Sequence, residues 1–130
     1  MRYIFSVIIL LTLVSSCKKK EGEGGNGGIK GKVFTKRYTI DYSTYITTYA
    51  AKDEDVYIQY GEEVGVSDKT TTDYNGEFEF KYLYPGKYTI FVYSEDTTMN
   101  DLSGKIVVKQ TIQISKNEIK AIDLIRSDNN

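Results

Sequence analysis

The sequence predicts an all-β fold, a single seven-stranded antiparallel β-sandwich of about 100 residues. Three observations point to it. Short alternating runs of apolar and polar residues recur from Ile29 to Ile125, punctuated by turn residues. The chain holds 12 tyrosines and many Thr, Val and Ile residues, which suit a pleated, half-buried backbone. No window sustains the helical period.

The strands follow in order. Ile29 to Phe34 opens the domain. In Val56 to Tyr60, Val56, Ile58 and Tyr60 share one face. Lys69 to Thr72 is polar and suits an edge. Asn75-Gly76 tolerates the positive φ angles of a tight hairpin. Glu77 to Lys81 then alternates, with Phe78 and Phe80 inward. Pro85-Gly86 turns the chain into Lys87 to Tyr93, which carries Tyr88, Ile90 and Val92 on one face and Phe91 and Tyr93 on the other. Lys105 to Ile114 groups Ile106, Val108, Ile112 and Ile114. After a turn at Ser115 to Asn117, Glu118 to Ile125 closes the domain.

The N-terminus reads as an address. Met1-Arg2-Tyr3 is basic, Ile4 to Val14 is almost wholly apolar, and Ser15-Ser16 precede Cys17, the order of an export signal. The apolar run is short for a membrane span, which needs roughly 20 residues. Val14-Ser15-Ser16-Cys17 resembles the lipobox of bacterial lipoproteins. That resemblance implies cleavage before Cys17, acylation of its thiol, and membrane lipid as a partner through acylated Cys17. Lys18 stands where Asp would favour inner-membrane retention, so resemblance to the sorting rules points to the outer membrane. Glu21 to Gly28 is glycine-dominated and reads as flexible coil. The expected layout is a signal peptide over 1–16, lipidated Cys17 and tether over 17–28, the domain over 29–126, and a disordered tail over 127–130.

Thr71-Thr72-Asp73-Tyr74-Asn75-Gly76-Glu77-Phe78-Glu79-Phe80, then Leu83 and Pro85-Gly86-Lys87-Tyr88-Thr89-Ile90, resemble carboxypeptidase regulatory-like domains. These belong with the transthyretin-like and Cna B-type sandwiches, related in shape to immunoglobulin-like domains. The resemblance implies a non-catalytic spacer, stalk or binding module. In the Cna B-type pattern, Lys30 or Lys32, Asp123 and Glu77 or Glu79 would supply an isopeptide bond. Strand alternation instead turns those side chains toward water.

An insertion over 35–55 departs from that pattern. It carries Tyr38, Tyr42, Tyr45 and Tyr49, the candidate ligand contacts. Their spacing is helical in period, but the intervening Thr, Ile and Ser disfavour a helix. A long β-hairpin with Asp41 to Thr44 near its tip is expected. Exposed tyrosines there could stack on a glycan or grip an envelope protein, or simply cover their own sheet. Phe91, Tyr93 and Tyr57 could likewise form an outer patch or stiffen a sheet by cross-strand pairing.

Composition narrows the chemistry. There is no histidine, which removes the commonest general base and zinc ligand. The one cysteine allows no internal disulfide. A net charge of -1 gives no reason to expect nucleic acid. Asp53, Glu54 and Asp55 cluster without the spacing of a calcium loop. No catalytic residues, cofactor or metal are assigned. The function expected is a lipid-anchored, non-catalytic binding or structural module of the cell envelope. The alternative is a carbohydrate-binding or transport accessory lipoprotein using the insertion.

Overall fold

The structure, a computed structural model, describes residues 19–129. Cys17 and the expected signal peptide lie outside the described residues. Eight strands follow in order: β1 (Glu23–Tyr38), β2 (Tyr45–Ala50), β3 (Asp55–Tyr60), β4 (Asp68–Thr71), β5 (Glu77–Leu83), β6 (Gly86–Glu95), β7 (Lys105–Ile114) and β8 (Ile119–Asp128).

They build two four-stranded sheets. In the first, β1 pairs antiparallel with β2 and β5 and parallel with β8. The β8 register overlaps both of the others, so β8 takes one edge of β1 while β5 and β2 follow each other along the opposite edge. The second sheet runs β4-β3-β6-β7, antiparallel throughout. Strand alternation sends Ile29, Val33, Val56, Ile58, Phe78, Phe80, Tyr88, Ile90, Val92, Ile112, Ile114, Ile122 and Leu124 into the space between the sheets. Each such side chain contributes about 1.5–3 kcal/mol on leaving water. No buried side-chain polar atom among the described residues lacks a hydrogen-bond partner.

The all-β sandwich is as the sequence predicts, with an eighth strand. The insertion supplies it: β1 runs on to Tyr38 and β2 returns beside it, with the tip over residues 39–44. One pair is parallel rather than antiparallel. The Ser115–Glu118 turn lies at the end of the sandwich where β1 also starts, so β8 leaves it in the direction of β1.

The two glycine turns connect sheets instead of closing hairpins. Before Gly76, Asp73 accepts the N–H groups of Asn75 and Glu77 at 2.8 and 2.9 Å. Only Gly76 of that pair takes a positive φ, 75°. A Cβ there would stand 2.8 Å from the Val33 carbonyl oxygen, so the turn is a corner packed onto β1.

Three expectations are corrected. Ile106 is exposed, because it pairs with Ser94 at the end of the sheet, where β8 offers Arg126 and Ser127 rather than apolar cover. The tail is not free at its start: β8 continues to Asp128, and the Asn129 side chain donates to the Ile40 carbonyl at 3.3 Å. The glycine-rich stretch is not a flexible coil. β1 starts at Glu23, and Gly22, Gly27 and Gly28 are buried. Here glycine permits close packing: a Cβ on Gly25 would run into the Leu83 carbonyl, so only a bare backbone can lie in that groove. Composition suggested freedom where the chain uses its lack of side chains to pack.

Candidate functional site

The sandwich has two distinct ends. At the proximal end the chain enters β1 and the loop over 61–67, the Tyr84–Gly86 turn and the Ser115–Glu118 turn meet. At the distal end lie the hairpin tip, the loop over 96–104, the start of β3 and the end of β8.

An open cleft of about 300 Å³ sits at the distal end, lined in part by Glu54, Tyr57, Tyr93, Glu95, Lys105 and Arg126. Arg126 continues the inward phase of Ile122 and Leu124 along β8, so its guanidinium enters between the sheets instead of solvent. It is held from several sides. Nε donates to the Tyr93 carbonyl at 3.2 Å and lies 3.4 Å from Glu54 Oε1. One terminal nitrogen donates to the buried Thr35 hydroxyl at 3.4 Å and stands 3.8 Å from Asp128. Burial pushes the Glu54 carboxyl above its ordinary value, partly opposed by Arg126.

Buried Thr72 places Glu54. Its hydroxyl donates to the Ala51 carbonyl at 2.5 Å and accepts the Glu54 N–H at 2.8 Å. The turn ahead of β3 is thereby fixed, and Glu54 is aimed at Arg126.

Beside the cleft stands a wall of rings on the outer face of the second sheet. Tyr57 and Phe91 are cross-strand partners stacked at 5.2 Å, with their planes 18° apart. Tyr93 meets Tyr57 edge-on at 5.4 Å. Cross-strand pairing, expected to stiffen the sheet, and an outward aromatic surface therefore coexist in the same three rings. Burial raises the Tyr57 phenol above its ordinary value, with Asp55 adding to the effect.

The insertion joins this end. Tyr38 lies 6.4 Å from Tyr42 and 6.0 Å from Tyr45, ring centre to ring centre. The Tyr42 hydroxyl donates to Glu95 at 2.9 Å and so ties the hairpin to the cleft rim. Tyr49 pairs with Thr35 farther along β1 and stands apart from this trio. Three of the four candidate tyrosines are thus brought together, and Tyr42 is held by a carboxylate rather than free in a row.

A family model for the BOS complex subunit NOMO1-like, second beta sandwich domain, matches residues 28–121. The chain belongs to this family. Among solved structures, this chain resembles a Pseudomonas aeruginosa protein proposed to bind carbohydrate, at 15% identity and a TM-score of 0.51, over 81% of this chain and 91% of that one. That likeness is one of fold. No curated protein matches. Together these place the chain among β-sandwich domains.

Arg126 falls outside the NOMO1-like match, as do Gly22 and Gly25. Sequence reading missed Arg126, although the signal was present: a charged residue in the inward phase of an alternating strand requires a carboxylate partner. The acidic cluster resolves into separate duties. Glu54 meets Arg126, Asp55 meets Lys69 and the Thr71 hydroxyl, and Asp53 lies 3.7 Å from Lys52. Among the described residues no group of three or more His, Cys, Asp or Glu could hold a metal ion. Lys32 and Asp123 meet on the open face of the first sheet, where the Lys32 backbone N–H donates to the carboxylate and Nζ reaches Glu77.

A larger depression, about 930 Å³, opens at the proximal end between Lys19, Tyr84, Gln113 and Lys116. It lacks a partly buried charged pair and a ring wall, so the distal cleft is the better-built candidate site.

Proposed function

We propose that this chain is a lipid-anchored, non-catalytic binding module of the bacterial cell envelope. Acylated Cys17 would hold it at a membrane, the outer membrane in the reading that Lys18 favours. The distal cleft would meet the partner. The observation that carries this reading is the polarity of the domain. Gly22, five residues after Cys17, lies at one end of the sandwich, and the Glu54–Arg126 pair lies at the other. β6 spans from one end to the other, about 30 Å at the usual rise of a strand. An anchor before Gly22 would therefore leave the cleft facing away from the bilayer. Growth with a clickable fatty acid tests the anchor. Label should attach to the wild-type chain and vanish in Cys17→Ala; label that persists in the variant overturns it.

The ring wall favours a saccharide as ligand. Planar aromatic faces stack on the C–H faces of sugars, while neighbouring carboxylates and a guanidinium can bond hydroxyls. The fold likeness to a protein proposed to bind carbohydrate supports the same class. A glycan array with the purified domain tests it. Binding that Tyr57→Ala and Tyr93→Ala abolish, and Tyr49→Ala spares, is expected. Binding lost in Tyr45→Ala and kept in Tyr57→Ala would move the site to the insertion.

A further inference from the structure

The expected tether is largely folded into the domain, which changes how an anchored chain would sit. The Gly22 N–H donates to the buried Tyr88 hydroxyl at 2.9 Å, and its carbonyl accepts the Tyr84 N–H at 2.9 Å. Before Gly22, Lys20 pairs with Glu63 at 3.2 Å and Lys19 lies over the Tyr84 ring at 5.0 Å. Covalent geometry lets the five residues from Cys17 to Gly22 span at most about 18 Å, however they run. That is less than the length of the sandwich itself.

Apolar side chains are exposed at both ends of the sandwich, and those at the proximal end lie on the side from which the link to Cys17 departs. The proximal loop over 61–67 carries Val64, fully exposed, and Val66, half exposed. Elsewhere at this end Tyr82, one residue before Leu83, and Ile119, paired with Gly28, are exposed, and Lys116 stands in the Ser115–Glu118 turn. Apolar loop tips with tyrosines and lysines around them match the boundary between acyl chains and headgroups. The charge is balanced, because Lys20 is met by Glu63 and Lys87 by Glu62. Attraction to anionic lipid is therefore not what would hold this end down.

Resting on the lipid-anchored reading above, we propose that the proximal end docks against the bilayer headgroups. The occupant is the lipid surface to which Cys17 is attached. The short link brings Val64, Val66 and Tyr82 to the interface, and the domain stands end-on with its cleft outward. Docking by reach and apolar insertion would persist in salt, unlike a contact made by counter-charge.

The chain has no tryptophan, so a single one can report depth. The acylated full chain, as Val64→Trp or as Leu102→Trp, is reconstituted into phosphatidylethanolamine–phosphatidylglycerol vesicles with brominated acyl chains. Leu102, fully exposed in the distal loop over 96–104, serves as the counterpart. Expected is at least twofold stronger quenching at position 64 than at 102, unchanged between low and 0.5 M salt (about one Debye length of 4 Å). A ten-residue Gly/Ser insertion between Lys18 and Lys19 should halve it. Equal quenching at the two positions, in protein that carries fatty acid, overturns the docking alone. Absence of fatty acid on the purified chain overturns the anchor and the docking with it.

Discussion

Gly22 donates its backbone N–H to the hydroxyl of Tyr88, a residue 66 positions later whose ring is fully buried. The same hydroxyl donates to the Tyr84 carbonyl at 2.7 Å, four residues upstream at the corner between the sheets. One phenol therefore closes the turn into β6 and fixes the point at which the chain enters β1.

Tyr88→Phe keeps the ring and removes both bonds. It should cost about 1–3 kcal/mol, because a buried N–H and a carbonyl lose their partner. Urea unfolding measures the loss. Hydrogen exchange at the Gly22 amide should accelerate more than exchange in the middle of β6. Unchanged protection there would mean that the hydroxyl does not hold the chain start.

Gly25→Ala separates a packed strand from a loose leash. In a leash the change would be neutral or slightly stabilising. Against the Leu83 carbonyl, the added Cβ should cost about 1–3 kcal/mol. A thermal melt that matches the wild type would count against the packed strand.

Arg126→Ala leaves the half-buried Glu54 without its cation and should cost about 1–2 kcal/mol at neutral pH. The pH dependence has a definite sign. Folding raises the Glu54 value above 4.5, so the fold holds this proton more tightly than the unfolded chain does. The linked stability is complete below about pH 4.5 and is lost as pH rises through the raised value. Removing Arg126 enlarges that loss, whereas Glu54→Gln abolishes it. Urea titrations from pH 4 to 7 should show the steepest decline in Arg126→Ala and the flattest curve in Glu54→Gln.

Asp96 runs the opposite way. Its carboxylate accepts the Thr98 hydroxyl and the N–H groups of Thr98, Asn100 and Asp101. These bonds, led by the Thr98 hydroxyl, lower its value from 3.8 to about 2. The charge is screened by the loop it organises, not by the core. Its stabilisation is complete above about pH 3.8 and is lost as pH falls through about 2. Asp96→Asn should be less stable at pH 7 and lose less between pH 4 and pH 2. A variant as acid-sensitive as the wild type would assign the acid transition elsewhere.

The sandwich was legible because its signals are local. Alternation placed Val56 and Ile58, Phe78 and Phe80, and Tyr88, Ile90 and Val92 in the core without knowledge of their partners. Tyr57 and Phe91 were placed on the outer face by the same period. What sequence did not reveal depends on distant pairs. Glu54 and Arg126 are 72 positions apart: the inward phase of Arg126 calls for a carboxylate, but nothing near it says which one. Gly22 to Gly28 has the composition of a linker, and only the groove left by Leu83 and Tyr84 makes bare backbone the right filler. The Asn75-Gly76 turn is legible locally, but its role in joining two sheets follows from register.

The side-by-side course of β1 and β8 sets how the domain would bear mechanical load. Their ladder runs from Gly28 with Ile119 to Arg37 with Asp128, with both strands pointing the same way. Tension between a fixed N-terminus and a pulled C-terminus would therefore slide the two strands lengthwise, loading the whole ladder at once. A ladder loaded in shear resists far better than one peeled open pair by pair, so the arrangement suits a chain tugged from outside while held at its beginning.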